Sequence, residues 1–132
     1  MHAVTDTHAL LWYLLADARL STRAKRVFDD AAASGDTIGV PSICLVEIVY
    51  LVDKGRVPSA ALDTLITQLE TRTSVLEMIP LDQAVALSVQ RVERTQVPDM
   101  PDRIIAATAL HLELPIISRD YKIRLADLEA IW

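Results

Sequence analysis

Apolar positions along the chain follow two spacings. Short apolar runs of strand length recur, separated by longer stretches in which apolar residues return every three or four positions. His2 to Thr5 reads as a first strand and Thr7 to Leu15 as a helix. Ser21 is placed to cap a second helix running to Ala33, with Gly35 as its stop. Thr37 to Val40 reads as the second strand. Pro41 and Ser42 open a helix that ends at Lys54-Gly55, and Pro58-Ser59 open another that continues to Thr71. Val75 to Ile79 reads as a third strand, Asp82 caps a helix reaching Arg94, and Asp102 opens a helix to Leu112. Pro115 to Ser118 reads as a fourth strand, followed by a helical turn after Asp120 and a last short strand at Glu129 to Trp132. Strands separated by helices imply right-handed crossovers and a parallel sheet with helices on both faces. The expected fold class is α/β, in three layers around a sheet of four or five parallel strands.

Composition narrows the classes. With 132 residues, 52% of them hydrophobic, the chain is expected to form a single domain over 1–132 with a sizeable core. A charged fraction of 23% argues against disorder. No apolar run reaches the roughly 18 residues of a membrane helix. Met1-His2-Ala3-Val4-Thr5-Asp6 also lacks the basic and apolar segments of a leader, so a cytoplasmic protein is expected. The single cysteine, Cys44, cannot form an internal disulfide, and no Cys/His spacing suggests zinc. A net charge of −5 has the wrong sign for coating nucleic acid by bulk electrostatics. It is compatible with acids concentrated in a metal site. The apolar surplus points to a covered partner surface.

Four carboxylates stand out by position. Asp6 ends the first strand and Asp120 follows the strand Ile116-Ile117, and in parallel sheets ligands bind beyond the carboxyl ends of strands. Both also read as helix caps. Glu47 lies in Ile43-Cys44-Leu45-Val46-Glu47-Ile48-Val49-Tyr50-Leu51-Val52, apolar nearly all round and therefore expected to be buried. A carboxylate there must be paired, protonated or bound to metal. Asp102 opens the apolar helix Asp102-Arg103-Ile104-Ile105-Ala106-Ala107-Thr108-Ala109-Leu110, where an acid also suits the helix dipole. Asp99 lies in the loop Val97-Pro98-Asp99-Met100-Pro101. Pro101 biases Met100 toward extended backbone, so Asp99 is expected to turn away from Asp102. If the four acids converge they repel one another, and a divalent cation is the simple remedy. Oxygen donors without His or Cys favour Mg²⁺ or Mn²⁺.

These segments resemble the PIN-domain nuclease family. Val4-Thr5-Asp6-Thr7-His8-Ala9-Leu10-Leu11-Trp12 looks like its opening motif, and Pro41-Ser42-Ile43-Cys44-Leu45-Val46-Glu47-Ile48 like its second. Asp99-Met100-Pro101-Asp102-Arg103-Ile104-Ile105-Ala106-Ala107-Thr108-Ala109 is similar to the third, and Ile116-Ile117-Ser118-Arg119-Asp120 to the fourth. The order is right and the resemblance spans almost the whole chain. Its short length most resembles the VapC toxins. The third motif departs from a common form, because Met100 separates Asp99 from Pro101.

The resemblance implies that Asp6, Glu47, Asp102 and Asp120 are the catalytic acids and hold Mg²⁺ or Mn²⁺. Ser118 matches a hydroxyl position near that site, and Asp99 is a further accessory candidate. Hydrolysis of RNA phosphodiester bonds follows, with Arg103 and Arg119 as candidates for the RNA backbone or for ion pairs with the acids. Trp12, at helical spacing from His8, reads as core or interface. The family also implies a small cognate antitoxin, a toxin homodimer and DNA contact only through the antitoxin. Ala60–Leu69 and Leu10–Leu15 are candidate covered faces, or they simply face the core. The alternatives are a phospho-receiver module and a catalytically silent PIN-like partner-binding domain. A receiver is disfavoured because the mid-chain acid, Glu47, lies inside a helix, and because Ser118 stands where a receiver needs Lys.

Overall fold

The computed structural model describes residues 1–132 apart from the side chains of Arg124 and Leu125. Its strands are β1 (Ala3–Thr5), β2 (Ile38–Pro41), β3 (Leu76–Ile79), β4 (Ile116–Ile117) and β5 (Ala130–Ile131). Its helices are α1 (Thr7–Leu14), α2 (Thr22–Ser34), α3 (Ser42–Asp53), α4 (Ser59–Glu70), α5 (Gln83–Ser88), α6 (Met100–Leu112) and α7 (Tyr121–Leu125). All pairings are parallel, in the order β3-β2-β1-β4-β5. The fold is the expected α/β type, with a five-stranded parallel sheet flanked by helices.

Strand burial follows position in the sheet. Central β1 is buried throughout, as is β2. Edge strand β3 exposes Glu77 and Met78, and a charge on an edge discourages further pairing. Gly39 in β2 has a packing reason. A Cβ there would meet Ile79 Cδ1 and Met1 Sδ, so a larger residue would force those two side chains to shift. Caps follow the sequence: Ser21 Oγ accepts from Ala24 N, and Gly35 closes α2 at φ 72°. The core joins the sheet to α1, α2, α3, α4 and α6, with Leu10, Phe28, Ile38, Ile48, Leu65 and Ile105 among its buried side chains.

Three expectations are corrected. The helix after Asp82 stops at Ser88, and residues to Arg91 form a 3₁₀ turn instead of continuing to Arg94. Arg103 Nη2 donates to the carbonyls of Val89 and Val92 at 3.2 and 3.1 Å, and Val89 O also accepts the turn's own bond from Val92 N. The helix expected from Asp102 begins at Met100, with Asp99 as its N-cap. Proline in the first turn removes an N–H that the helix leaves free there. Finally, α3 is not buried all round. Val46, Val49 and Tyr50 are 60%, 40% and 56% exposed, and only Cys44 and Ile48 are fully buried. Apolar periodicity identified the helix but could not say how many of its faces this chain covers.

Candidate functional site

The sheet order reverses at β1. The chain builds outward through β2 and β3, then returns to place β4 on the other side of β1. The carboxyl ends of β1 and β4 therefore flank the crevice where such sheets bind ligands. Asp6 leaves β1 there and Ser118 leaves β4. Buried Ser118 donates from Oγ to Asp6 Oδ2 at 2.6 Å and accepts from Asp120 N at 3.0 Å. Asp6 Oδ1 also accepts from Ala9 N at 2.9 Å, and Asp120 Oδ1 accepts from Lys122 N at 2.8 Å. Each aspartate thus caps a helix as well as facing the crevice. Burial pushes the Asp6 carboxyl up from its ordinary value. The Ser118 and Ala9 bonds and the His8 charge oppose that rise, and Asp120 adds to it.

Glu47 reaches the same place from α3. It is half-buried, and its Oε1 accepts a 2.6 Å hydrogen bond from Thr7 Oγ1. Thr7 is 4% exposed at the start of α1, so the bond ties the second acid to the element that carries the first.

Asp102 is where the acids register together. It lies in the first turn of α6, and its carboxyl is pushed up to about 7. Burial is the largest cause, followed by the charges of Asp99, Asp120, Glu47 and Asp6. Asp99 is not turned away. Its Oδ2 accepts from Asp102 N at 3.2 Å, and it is the charge that acts most strongly on Asp102.

The donor set fits a hard divalent cation. It is all oxygen, it is strongly acidic, and it holds a carboxyl near neutrality that a cation would ionise. Asp6, Glu47 and Asp120 are each turned to a protein donor. Among the described residues, no three His, Cys, Asp or Glu side chains are set to enclose one ion.

Beside the acids lies a cleft of about 180 Å³ lined by Asp6, His8, Trp12, Arg119 and Asp120. The exposed Arg119 guanidinium lies 4.5 Å from the ring centroid of buried Trp12, which fixes it at the cleft. Trp12 is core, as its spacing suggested, with Trp132 edge-on at 5.6 Å. Arg103, the other cation named from sequence, is bound to the Val89 and Val92 carbonyls. A larger cavity, about 470 Å³, lies between residues such as Tyr13, Leu20 and Gln68 and contains none of these acids.

Residues 3–128 match the family model described as PIN domain. The chain belongs to the PIN-domain family. Three solved structures share its fold. VapBC2 from Rickettsia felis, bound to a DNA fragment from its promoter, is 18% identical with a TM-score of 0.73, covering 98% of this chain and 97% of the other. A toxin–antitoxin complex from Klebsiella pneumoniae is 24% identical with a TM-score of 0.62, covering 98% and 96%. FitAcB from Neisseria gonorrhoeae is 18% identical with a TM-score of 0.64, covering 97% and 95%. At these identities the likeness establishes the fold. No curated protein matches the chain.

Within this PIN domain, two site features escaped the sequence. Thr7 reads as an ordinary helix start, and only the approach of α3 gives its hydroxyl a partner. Asp99 was readable as a cap, being an acid three residues before Asp102, had Pro101 been placed inside the helix.

Proposed function

We propose that this PIN domain is a Mg²⁺- or Mn²⁺-dependent endoribonuclease and the toxin of a toxin–antitoxin pair. One observation carries the catalytic reading: the charges of Asp6, Glu47, Asp99 and Asp120 all bear on half-buried Asp102 at the switch point of the sheet. Asp6, Glu47, Asp102 and Asp120 hold the ion, and Asp99 adds negative charge beside them. The ion supplies charge stabilisation for hydrolysis of an RNA phosphodiester. Ser118 orients Asp6 and the Asp120 backbone, and Thr7 orients Glu47. Arg119, fixed over Trp12, faces the RNA backbone at the edge of the cleft. A single PIN domain acting on RNA in the cytoplasm accounts for these parts.

The toxin reading draws on the structural neighbours, which are toxin–antitoxin complexes. The exposed apolar side chains of α3 supply a physical reason for partners. A small antitoxin and a second copy of the toxin cover such surfaces, and DNA is contacted through the antitoxin. No helix of the described residues is long and apolar enough to cross a membrane.

The test is cleavage of total RNA by the chain freed of any co-purifying partner, with Mn²⁺, Mg²⁺ or EDTA. Cleavage is expected with either metal, none with EDTA, and none from Glu47→Gln or Asp102→Asn. A folded, Mn²⁺-binding chain that leaves RNA intact would establish the catalytically silent partner-binding domain instead.

A further inference from the structure

The acid cleft continues past His8 and Trp12. A second recess of about 200 Å³ shares both residues and is walled by Leu15, Leu51, Arg56 and Pro58. Its position follows from the chain: Leu15 ends α1, Leu51 belongs to the last turns of α3, and Arg56 and Pro58 lie in the connection to α4. One half of the joined groove carries Asp6, Asp120 and Arg119, and the other combines an apolar wall with arginine.

The charges in the second half are unequal. Arg19 also lines it, but its Nε and Nη2 are bound to Asp17 at 3.1 and 2.8 Å. Arg56 is exposed and, among the described residues, has no carboxylate partner. In a chain of net charge −5, unpaired positive charge here is local. Leu15 is 42% exposed beside it, an apolar surface without a protein partner.

Resting on the ribonuclease reading above, we propose that this recess is the subsite for the nucleotide adjoining the scissile phosphate of a single-stranded RNA. The base lodges against Leu15, Leu51 and Pro58, and Arg56 takes a neighbouring phosphate. Single strands are the substrate class because the recess admits one unstacked base and not a duplex, whose base faces are hidden. The other candidate occupant is a protein segment. RNA is favoured because the recess is continuous with the acids and arginine lines both of its halves.

The test uses Arg56→Gln and Leu15→Trp, which remove the cation and fill the recess without touching the acids. With Mn²⁺ and single-stranded RNA, each variant raises KM roughly tenfold while kcat stays within about twofold, as expected for loss of one phosphate or base contact. Arg56→Gln also lowers the salt dependence of RNA affinity by about one counterion. An RNA lacking the base beside the cleavage position loses affinity on the parent chain and no more on Leu15→Trp. A second measurement reads binding without cleavage, as the anisotropy of a labelled RNA on Asp102→Asn protein with and without Arg56→Gln. Parental KM and affinity in both variants overturn the subsite and leave the nuclease intact. So does loss of a protein partner with RNA affinity unchanged. Arg56-dependent RNA binding by a parent chain that cleaves nothing retains the subsite and overturns the ribonuclease reading.

Discussion

Thr7 Oγ1 donates a 2.6 Å hydrogen bond to Glu47 Oε1, joining the first turn of α1 to the middle of α3. The two residues are 40 apart in sequence, and the bond makes Glu47 orientation a property of helix packing. Thr7→Val keeps the shape and removes the donor. We expect it to lower Mn²⁺ affinity and turnover by about 10- to 100-fold, as loss of an outer hydrogen bond to a metal ligand does. Thr7→Ser restores most of the activity. Titration of the three proteins with Mn²⁺, alongside their thermal midpoints, checks this. Parental affinity in Thr7→Val would show that Glu47 orients itself.

Asp102 gives the metal-free protein a signed pH dependence. Its folded-state carboxyl titrates near 7, above the ordinary value of 3.8, so between those values the folded chain binds more protons than the unfolded one. Stability contributed by this group therefore falls as pH rises through that window. Asp6, raised in the same direction, adds to the effect. Asp17 and Asp36, both lowered to about 2, act with the opposite sign and at lower pH. In EDTA the melting temperature is expected to drop from pH 5 to pH 8. Asp102→Asn is expected to flatten that drop and to melt above the parent at pH 8 while abolishing cleavage. With Mn²⁺ present, affinity rises through pH 7 as the proton leaves. An Asp102→Asn chain with the parent's pH profile would place the titration elsewhere.

Asp99 and Asp102 separate by role. Both lie at the start of α6, but Asp99 caps the helix through Asp102 N. Asparagine caps nearly as well as aspartate, so Asp99→Asn should fold normally. Losing its charge should lower the pH midpoint of Asp102 and reduce Mn²⁺-dependent turnover by about tenfold, against complete loss in Asp102→Asn. Turnover of both variants across pH on one RNA decides it, and the reverse ranking would make Asp99 the principal ligand of the third motif.

Arg103 is expected to matter for folding and not for RNA. Its Nη2 donates to the Val92 carbonyl and, beside Val92 N, to the Val89 carbonyl. Arg103→Ala should lower unfolding free energy by about 1–3 kcal/mol, the usual cost of leaving buried polar groups unsatisfied. KM for RNA should stay at the parental value. Denaturant unfolding and steady-state cleavage separate the outcomes, and a rise in KM with unchanged stability would return Arg103 to the RNA surface.

Strand positions and helix identities were legible because the period of apolar residues is a local property. The positions of Asp6, Glu47, Asp102 and Asp120 were legible for a related reason, since each stands at an element end or interrupts an apolar run. What the sequence hid depends on tertiary contact. The α3 pattern does not reveal that Val46, Val49 and Tyr50 lack a covering element in this chain. Pro101 biases Met100 toward extended backbone as a local rule, whereas a proline two positions after the cap belongs to the first turn. Arg103, next to an acid in sequence, is drawn to carbonyls by the turn packed against α6.

The pairing of β1 with β4 fixes the order in which the protein becomes competent. Asp6 precedes by 112 positions the residue whose hydroxyl orients it. Closing that span is a long-range event, slow beside the formation of local helices. Until β4 has docked, Asp6 lacks Ser118 and the crevice has one wall. A nascent or truncated chain ending before residue 118 therefore carries three of the four acids and no site.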